Sequence, residues 1–187
     1  MSFQEIWQGL RLWLVHTARQ RILSENNNLL MGRILVELIK NNKNPDSLAE
    51  VEFKVFSQFG DDGIIQFLIN NLDLSERTFI EFGVEDYREA NTRFLLMNNN
   101  WCGLVLDASK KNIERIMRSE YYWKFQLTAR CAFITVENIN QLISEPGFRG
   151  DIGLLHIDLD GNDYWVWQAI NIVKPAIVIL EYNSIFG

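Results

Sequence analysis

Four apolar runs in this sequence each end in an acid. They are Thr78-Phe79-Ile80-Glu81-Phe82-Gly83, Gly103-Leu104-Val105-Leu106-Asp107, Leu154-Leu155-His156-Ile157-Asp158 and Ala176-Ile177-Val178-Ile179-Leu180-Glu181. Carboxylates gathered at one edge can accept hydroxyl donors, hold a cation or take a proton from a reacting hydroxyl. Glu81 and Gly83 form E-x-G, where a glycine lets the backbone approach a ligand that any side chain would obstruct. A dinucleotide fold would ask instead for G-x-G-x-x-G, to cradle a pyrophosphate on a helix N-terminus. Here the continuation is Val84-Glu85-Asp86-Tyr87, with no second glycine and with carboxylates that repel a diphosphate.

A ligand with a cationic centre and no phosphate fits better. S-adenosylmethionine is such a ligand, carrying a sulfonium, an amino group and a ribose diol. Asp107, roughly 20 or more residues beyond the glycine, is placed as the acceptor for that diol; a loop or helix-capping acid is the alternative. The most acidic stretch is Asp158-Leu159-Asp160-Gly161-Asn162-Asp163. Alternating oxygen side chains before a glycine suit a hard cation such as Mg²⁺, with Glu181 or Asn183 adding ligands from the neighbouring strand end. Two other readings stay open: Asp158 or Asp160 as a general base for a hydroxyl proton, and a structural turn whose acids cap the helix at Tyr164. His156 lies inside an apolar run and reads as a satisfied core histidine, with a catalytic base as the alternative. Tyr164, Trp165 and Trp167 read as core, with a sugar-stacking wall as the alternative.

These residues need elements to position them. Short apolar runs without strict alternation suit strands buried on both faces of a parallel sheet with helical crossovers, so the fold class is α/β and Rossmann-like. In such sheets the ligand sits beyond the carboxyl ends of the strands, where the four acids would lie. Helices are expected over 64–71, 90–97, 110–118 with Ser109 as cap, 137–143 and 164–171, and a further strand within 127–133. Residues 1–49 read as a helical extension and 50–187 as the α/β domain. In the extension, Phe3, Ile6, Trp7, Leu10, Trp13 and Leu14 recur at helical spacing, suiting the chain's own domain, a dimer partner or a membrane surface. A polar break at Ser24-Glu25-Asn26-Asn27-Asn28 separates that helix from a second one bearing Met31, Ile34, Leu35, Leu38 and Ile39.

The first fifty residues carry six basic and five acidic groups and the remainder twelve and nineteen, so no basic face is evident and nucleic acid is disfavoured as a partner. Cys102 and Cys131 are too few for a disulfide framework; reduced, buried thiols and a cytoplasmic location are expected.

Over 56–187 the chain resembles the FkbM-type branch of class I S-adenosylmethionine-dependent methyltransferases. The resemblance is carried by Phe56-Ser57-Gln58-Phe59-Gly60-Asp61-Asp62-Gly63, Glu81-Phe82-Gly83-Val84-Glu85-Asp86 with Asn91-Thr92-Arg93, Trp101-Cys102-Gly103-Leu104 with Asp107, and His156-Ile157-Asp158-Leu159-Asp160-Gly161-Asn162-Asp163-Tyr164 with Glu181-Tyr182-Asn183. It implies cofactor contacts at Gln58, Gly60, Asp61, Glu81, Gly83, Asn91 and Asp107, and O-methylation of a sugar or other small hydroxylated acceptor. Tyr87 departs from the pattern, standing where a glycine would be unremarkable. A sheet of this type resembles a seven-stranded arrangement, so the C-terminal strands are expected to be missing from this chain. A noncatalytic remnant or interaction module of the same fold is the competing expectation.

Overall fold

A computed structural model describes residues 3–42 and 44–181. Five parallel strands form one sheet in the order β3-β2-β1-β4-β5: β1 Thr78–Phe82, β2 Cys102–Asp107, β3 Leu127–Cys131, β4 Gly150–Ile157 and β5 Val173–Leu180. The sequence is thus α/β with a Rossmann-like sheet, and all five expected strands form. β1 and β4 pair in the middle, so the crossovers run in opposite directions from that point and leave a crevice above it.

The period of two along a strand sorts the side chains into layers. Phe79, Val105, Leu154 and Ile177 share one core cluster, whereas Ile80, Phe82, Leu104, Leu106, Leu155 and Ile157 share the cluster on the opposite face. Glu81, Asp107 and His156 each lie two residues beyond a member of the first group. They therefore sit on one face of the sheet, and the pairing register sets Glu81 directly beside His156.

The helices are α1 Phe3–Ile39, α2 Asp61–Asn71, α3 Arg93–Asn99, α4 Lys110–Met117, α5 Glu120–Lys124, α6 Ile139–Ser144 and α7 Asp163–Ala169. A short 3₁₀ turn, Leu48–Glu50, lies between α1 and α2. The expected cap on α4 is present: Ser109 Oγ accepts from Asn112 N at 3.3 Å. α5 was not anticipated, and α2 begins at Asp61 rather than Ile64, which places Asp61 and Asp62 where acids complement the helix dipole.

Three expectations are corrected. The polar break at 24–28 is no break: α1 is one helix of 37 residues. No proline or glycine stands there, and asparagines cost less than about 0.7 kcal/mol each in a helix. Arg21 pairs with Glu25 across the segment, and Glu25 Oε2 also accepts from the buried Arg93 guanidinium at 2.8 Å. That guanidinium lies 4.2 Å from the Phe56 ring centroid, so the polar stretch is itself the anchor of α1. Tyr164, Trp165 and Trp167 are exposed, because the short α7 buries only Val166. Cys131 is exposed and Cys102 partly so, since each stands at an end of its strand; both are free thiols.

The side chains of Phe3 and Ile6, and residues Tyr182 and Asn183, lie outside the described residues. No helix among the described residues is long and apolar enough to cross a membrane.

α1 seats on the domain at Gly32. A Cβ there would meet Val55 Cγ2 at 2.6 Å and the Phe94 ring at 2.9 Å. Gly32→Val should therefore lower stability in urea denaturation by about 1–3 kcal/mol through overpacking. An unchanged midpoint would show that α1 is not seated at this contact.

Candidate functional site

Above the carboxyl ends of the strands lies a cleft of about 890 Å³, lined from β1, β2, β4, β5 and the loops that follow them. Eight carboxylates line it, those of Asp61, Glu81, Glu85, Glu89, Asp107, Asp158, Asp160 and Glu181, and neither a lysine nor an arginine does among the described residues. Of the residues expected at the cofactor, Gln58, Asp61, Glu81, Gly83, Asn91 and Asp107 are all on this lining. Gly60 is not. It is buried as the residue preceding α2, and a Cβ there would meet only the side chain of the exposed Glu52.

Glu81 is 2 % exposed and its carboxylate is fully engaged within the protein. Oε1 accepts from Asn91 N and His156 Nδ1, each at 2.9 Å. Oε2 accepts from Thr92 N at 3.1 Å and from the Thr92 hydroxyl. A carboxylate offers about four lone-pair sites, so Glu81 has none left for a ligand. Its task is to hold Asn91 and His156 in the cleft wall.

His156 Nε2 faces the Asn91 side-chain amide at 3.1 Å. Because an amide presents nitrogen or oxygen after a 180° flip, Asn91 can partner either protonation state of the ring. Burial acts to raise the Glu81 pKa, but the hydrogen bond and charge of His156, with Thr92 and the Asn91 amide, outweigh it and leave it lowered. Burial acts to lower the His156 pKa, but the hydrogen bond and charge of Glu81, with the charges of Asp158 and Asp61, leave it raised. Both shifts favour the charged pair.

Tyr87 extends this network, its hydroxyl lying 2.8 Å from Thr92 Oγ1. Its φ is +61°, a left-handed conformation that glycine adopts freely and a bulky residue rarely does. The missing glycine of the sequence pattern is thus a real conformational demand, met here by a tyrosine whose buried ring and hydroxyl hold it in place.

Asp107 is used in part. Oδ2 accepts from Glu85 N at 2.8 Å, and Oδ1 from Ser109 N at 2.7 Å and Asn112 Nδ2 at 3.2 Å. The loop and helix-start role weighed from the sequence is therefore present, and about one acceptor site, on Oδ2, is left over on this cleft-lining residue. Gly83 also has an internal reason to be glycine: its φ is +73° and a Cβ would meet the Asp158 carbonyl oxygen at 1.9 Å. The residue that shapes the Gln58 loop is Asp62, which nothing in the motif reading singled out. Its Oδ2 accepts from Val55 N, Phe56 N and Ser57 N, each at 2.7 Å, and from Ser57 Oγ at 2.9 Å.

The other half of the cleft is arranged differently. Asp158, Asp160 and Glu181 each bring a carboxylate oxygen within 4.8 Å of the others, a donor set that in chemistry suits a hard divalent cation. Asp163 has the structural role, its Oδ1 accepting from Leu159 N at 2.8 Å and its Oδ2 from Gly161 N at 3.0 Å. That clamp leaves Asp158 and Asp160 to face the cleft, with Asp160 at a φ of +50°. Burial and the adjacent Glu181 carboxylate push the Asp158 pKa up to about 7.

Phe59 and Phe133, both strongly exposed, also line the cleft; Phe59 stood in the Phe56–Gly63 motif with no role of its own, and Phe133 was not picked out from the sequence. No spacing signal marks a single loop aromatic. His156 had a signal available: if both strands end together beside each other, Glu81 and His156 become neighbours on one face.

Glu81→Gln replaces two acceptor sites by donors that face Thr92 or His156 and Asn91, so stability should fall by about 3–5 kcal/mol in chemical denaturation, as for a broken buried pair. For Asp158, a carboxyl that binds its proton more tightly folded than unfolded stabilises fully below its ordinary pKa of 3.8 and loses that contribution as pH rises to about 7. The wild-type chain should therefore lose stability relative to Asp158→Asn across about pH 4–7, by a fraction of the full shift because water screens this half-exposed group. Parallel melting curves of the two proteins against pH check it. No protein-family model matches this chain, and no curated protein matches it either.

Proposed function

We propose that the chain is an S-adenosylmethionine-dependent methyltransferase acting on an oxygen of a sugar or other small hydroxylated acceptor. The observation that carries the reading is the charge of the cleft: eight carboxylates and no lysine or arginine among its described lining residues, at the switch point of a parallel sheet. Such a site repels phosphate-bearing cofactors and attracts a sulfonium and an amino group. Its volume, about 890 Å³, is at the upper end of the usual range of roughly 300–1,000 Å³ for small-molecule pockets, which suits a cofactor together with a small acceptor. The ordered motifs that resemble the FkbM-type enzymes support the same class.

In this reading Gln58, Asp61, Asn91 and Asp107 hold the cofactor. Asp107 takes one ribose hydroxyl on its open Oδ2 site rather than both. Glu81 acts one step removed, fixing Asn91 and His156. S-adenosylmethionine supplies a methyl group on a positively charged sulfur, and its transfer to a hydroxyl oxygen neutralises the sulfur and releases one proton. Asp158 accepts that proton as general base, while Asp160 and Glu181 hold the acceptor hydroxyls; Asp160 and Glu181, with Asp158, are also the residues that would hold Mg²⁺, which would supply acidification of a bound hydroxyl.

A binding-only reading has one observation in its favour, the internal use of Glu81 and most of Asp107. Thermal shift and methyl transfer separate the two. S-adenosylmethionine should raise the melting temperature, Asp107→Ala should abolish the shift, and labelled methyl should pass to a sugar acceptor with at least a hundredfold loss in Asp158→Asn. A shift without transfer to any acceptor in a broad panel would leave the binding-only reading. No shift with S-adenosylmethionine would overturn both.

A further inference from the structure

Among the described lining residues of the cleft, two carry a benzyl ring, Phe59 and Phe133. Phe59 is 70 % exposed and Phe133 73 %. A lone exposed phenylalanine on a convex surface needs no explanation, but a ring left bare inside a concave site is apolar area that the fold itself does not use.

The backbone that presents Phe59 is held from several sides. Lys54 Nζ donates to the Gln58 carbonyl at 2.9 Å and to Glu89 Oε1 at 3.1 Å. The Gly60 carbonyl accepts from Phe53 N at 3.2 Å and from Gly63 N at 3.1 Å. The Asp62 carboxylate gathers the amides of Val55, Phe56 and Ser57. Little backbone freedom is left in this loop for a ligand to remove, so the ring is presented on a preorganised support.

The two rings stand at different places. Ala132 N donates to the Asp107 carbonyl at 3.0 Å, so Phe133 follows β3 beside the residue assigned to the cofactor ribose. The Phe59 loop is tied instead to the turn before α3, where Ala90 N donates to the Phe56 carbonyl at 3.0 Å. Asn91, next in that turn, faces His156, which lies two residues before Asp158 on the β4 side. Asp61, two residues beyond Phe59, is near enough for its charge to act on the same imidazole. Phe59 therefore belongs to the β1–β4 side of the cleft, toward Asp158, Asp160 and Glu181.

An apolar ring beside a set of carboxylates matches one kind of small molecule. A pyranose carries hydroxyls around its rim for carboxylates to accept, and C–H groups on a face for an aromatic ring to cover. An acyclic polyol has the same hydroxyls but no fixed face, and it loses rotamer freedom in forming one. A sugar phosphate is repelled by the charge of the cleft.

We propose that Phe59 is a specificity-determining residue for the acceptor, stacking on the C–H face of an uncharged pyranose whose hydroxyls are accepted by Asp158, Asp160 and Glu181. The proposal rests on the reading of those three acids as the acceptor half of the cleft, and it narrows the hydroxylated acceptor to a ring sugar.

The test is saturation-transfer NMR on the 187-residue chain, with and without S-adenosylhomocysteine, which has no methyl group to transfer. The probes are the methyl α-pyranosides of glucose, galactose and mannose, with sorbitol as the acyclic control. At least one pyranoside should bind more tightly than sorbitol, weaken about tenfold in Phe59→Ala and be retained in Phe59→Trp. Phe59→Ala removes an exposed ring and no side-chain hydrogen bond, so its melting temperature should stay within a few degrees of wild type. Phe133→Ala should leave pyranoside binding unchanged. The proposal is overturned if no pyranoside binds in either condition, if sorbitol binds as tightly, if Phe59→Ala binds as wild type does, or if Phe133→Ala weakens binding equally. The thermal shift with S-adenosylmethionine is read separately, so the failure of this proposal and that of the methyltransferase reading are distinct results.

Discussion

The Glu81 carboxylate is the constraint on which the upper half of this molecule depends. It is buried at the carboxyl end of the central strand, where an unpaired charge would cost several kcal/mol. Four donors from two separate segments meet it: the backbone and hydroxyl of the Asn91-Thr92 turn, and the imidazole of His156 on the adjacent strand. The turn therefore cannot move without stranding a charge, and Arg93, next in the chain, carries the same fixation outward to Glu25 on α1. One acid thus couples the sheet, the cleft wall and the N-terminal helix.

The eight carboxylates of the cleft divide by what satisfies them. Glu81 and Asp107 are held by the protein's own donors, so their positions are set before any ligand arrives. Asp158, Asp160 and Glu181 lie close together, and burial together with the Glu181 carboxylate raises the Asp158 pKa to about 7. Mutual repulsion between like charges is relieved by a proton, a cation or a hydroxylated ligand, so this half is the part of the cleft whose charge the fold itself leaves unsatisfied. Gly83 links the halves, because only a glycine lets the end of β1 pass the Asp158 carbonyl.

Much of this was legible in the sequence. Apolar runs of five to eight residues ending in acids have few folded solutions besides a parallel sheet, and the period of two then puts those acids on one face. All but Gly60 of the residues expected at a cofactor line the cleft, because strand ends and the neighbouring loops converge there. What failed to read were roles set by distant partners. Gly83 is small because the Asp158 carbonyl comes close, and Asp62, the anchor of the Gln58 loop, looks in sequence like one more acid of an acidic pair.

The sequence by itself determined the α/β class, the strand positions and the identity of the acids at their ends, because hydrophobic period and residue type are local properties. Tertiary structure decided which acids are consumed by the fold and which face the cleft, since that depends on donors brought in from other segments: Thr92 and His156 for Glu81, and Glu85 for Asp107. It also decided that α1 is continuous. A run of asparagines is a break only if nothing pays its modest helical cost, and the Glu25 contact with Arg93 and the seating of Gly32 on Phe94 are long-range packing that local propensity does not contain.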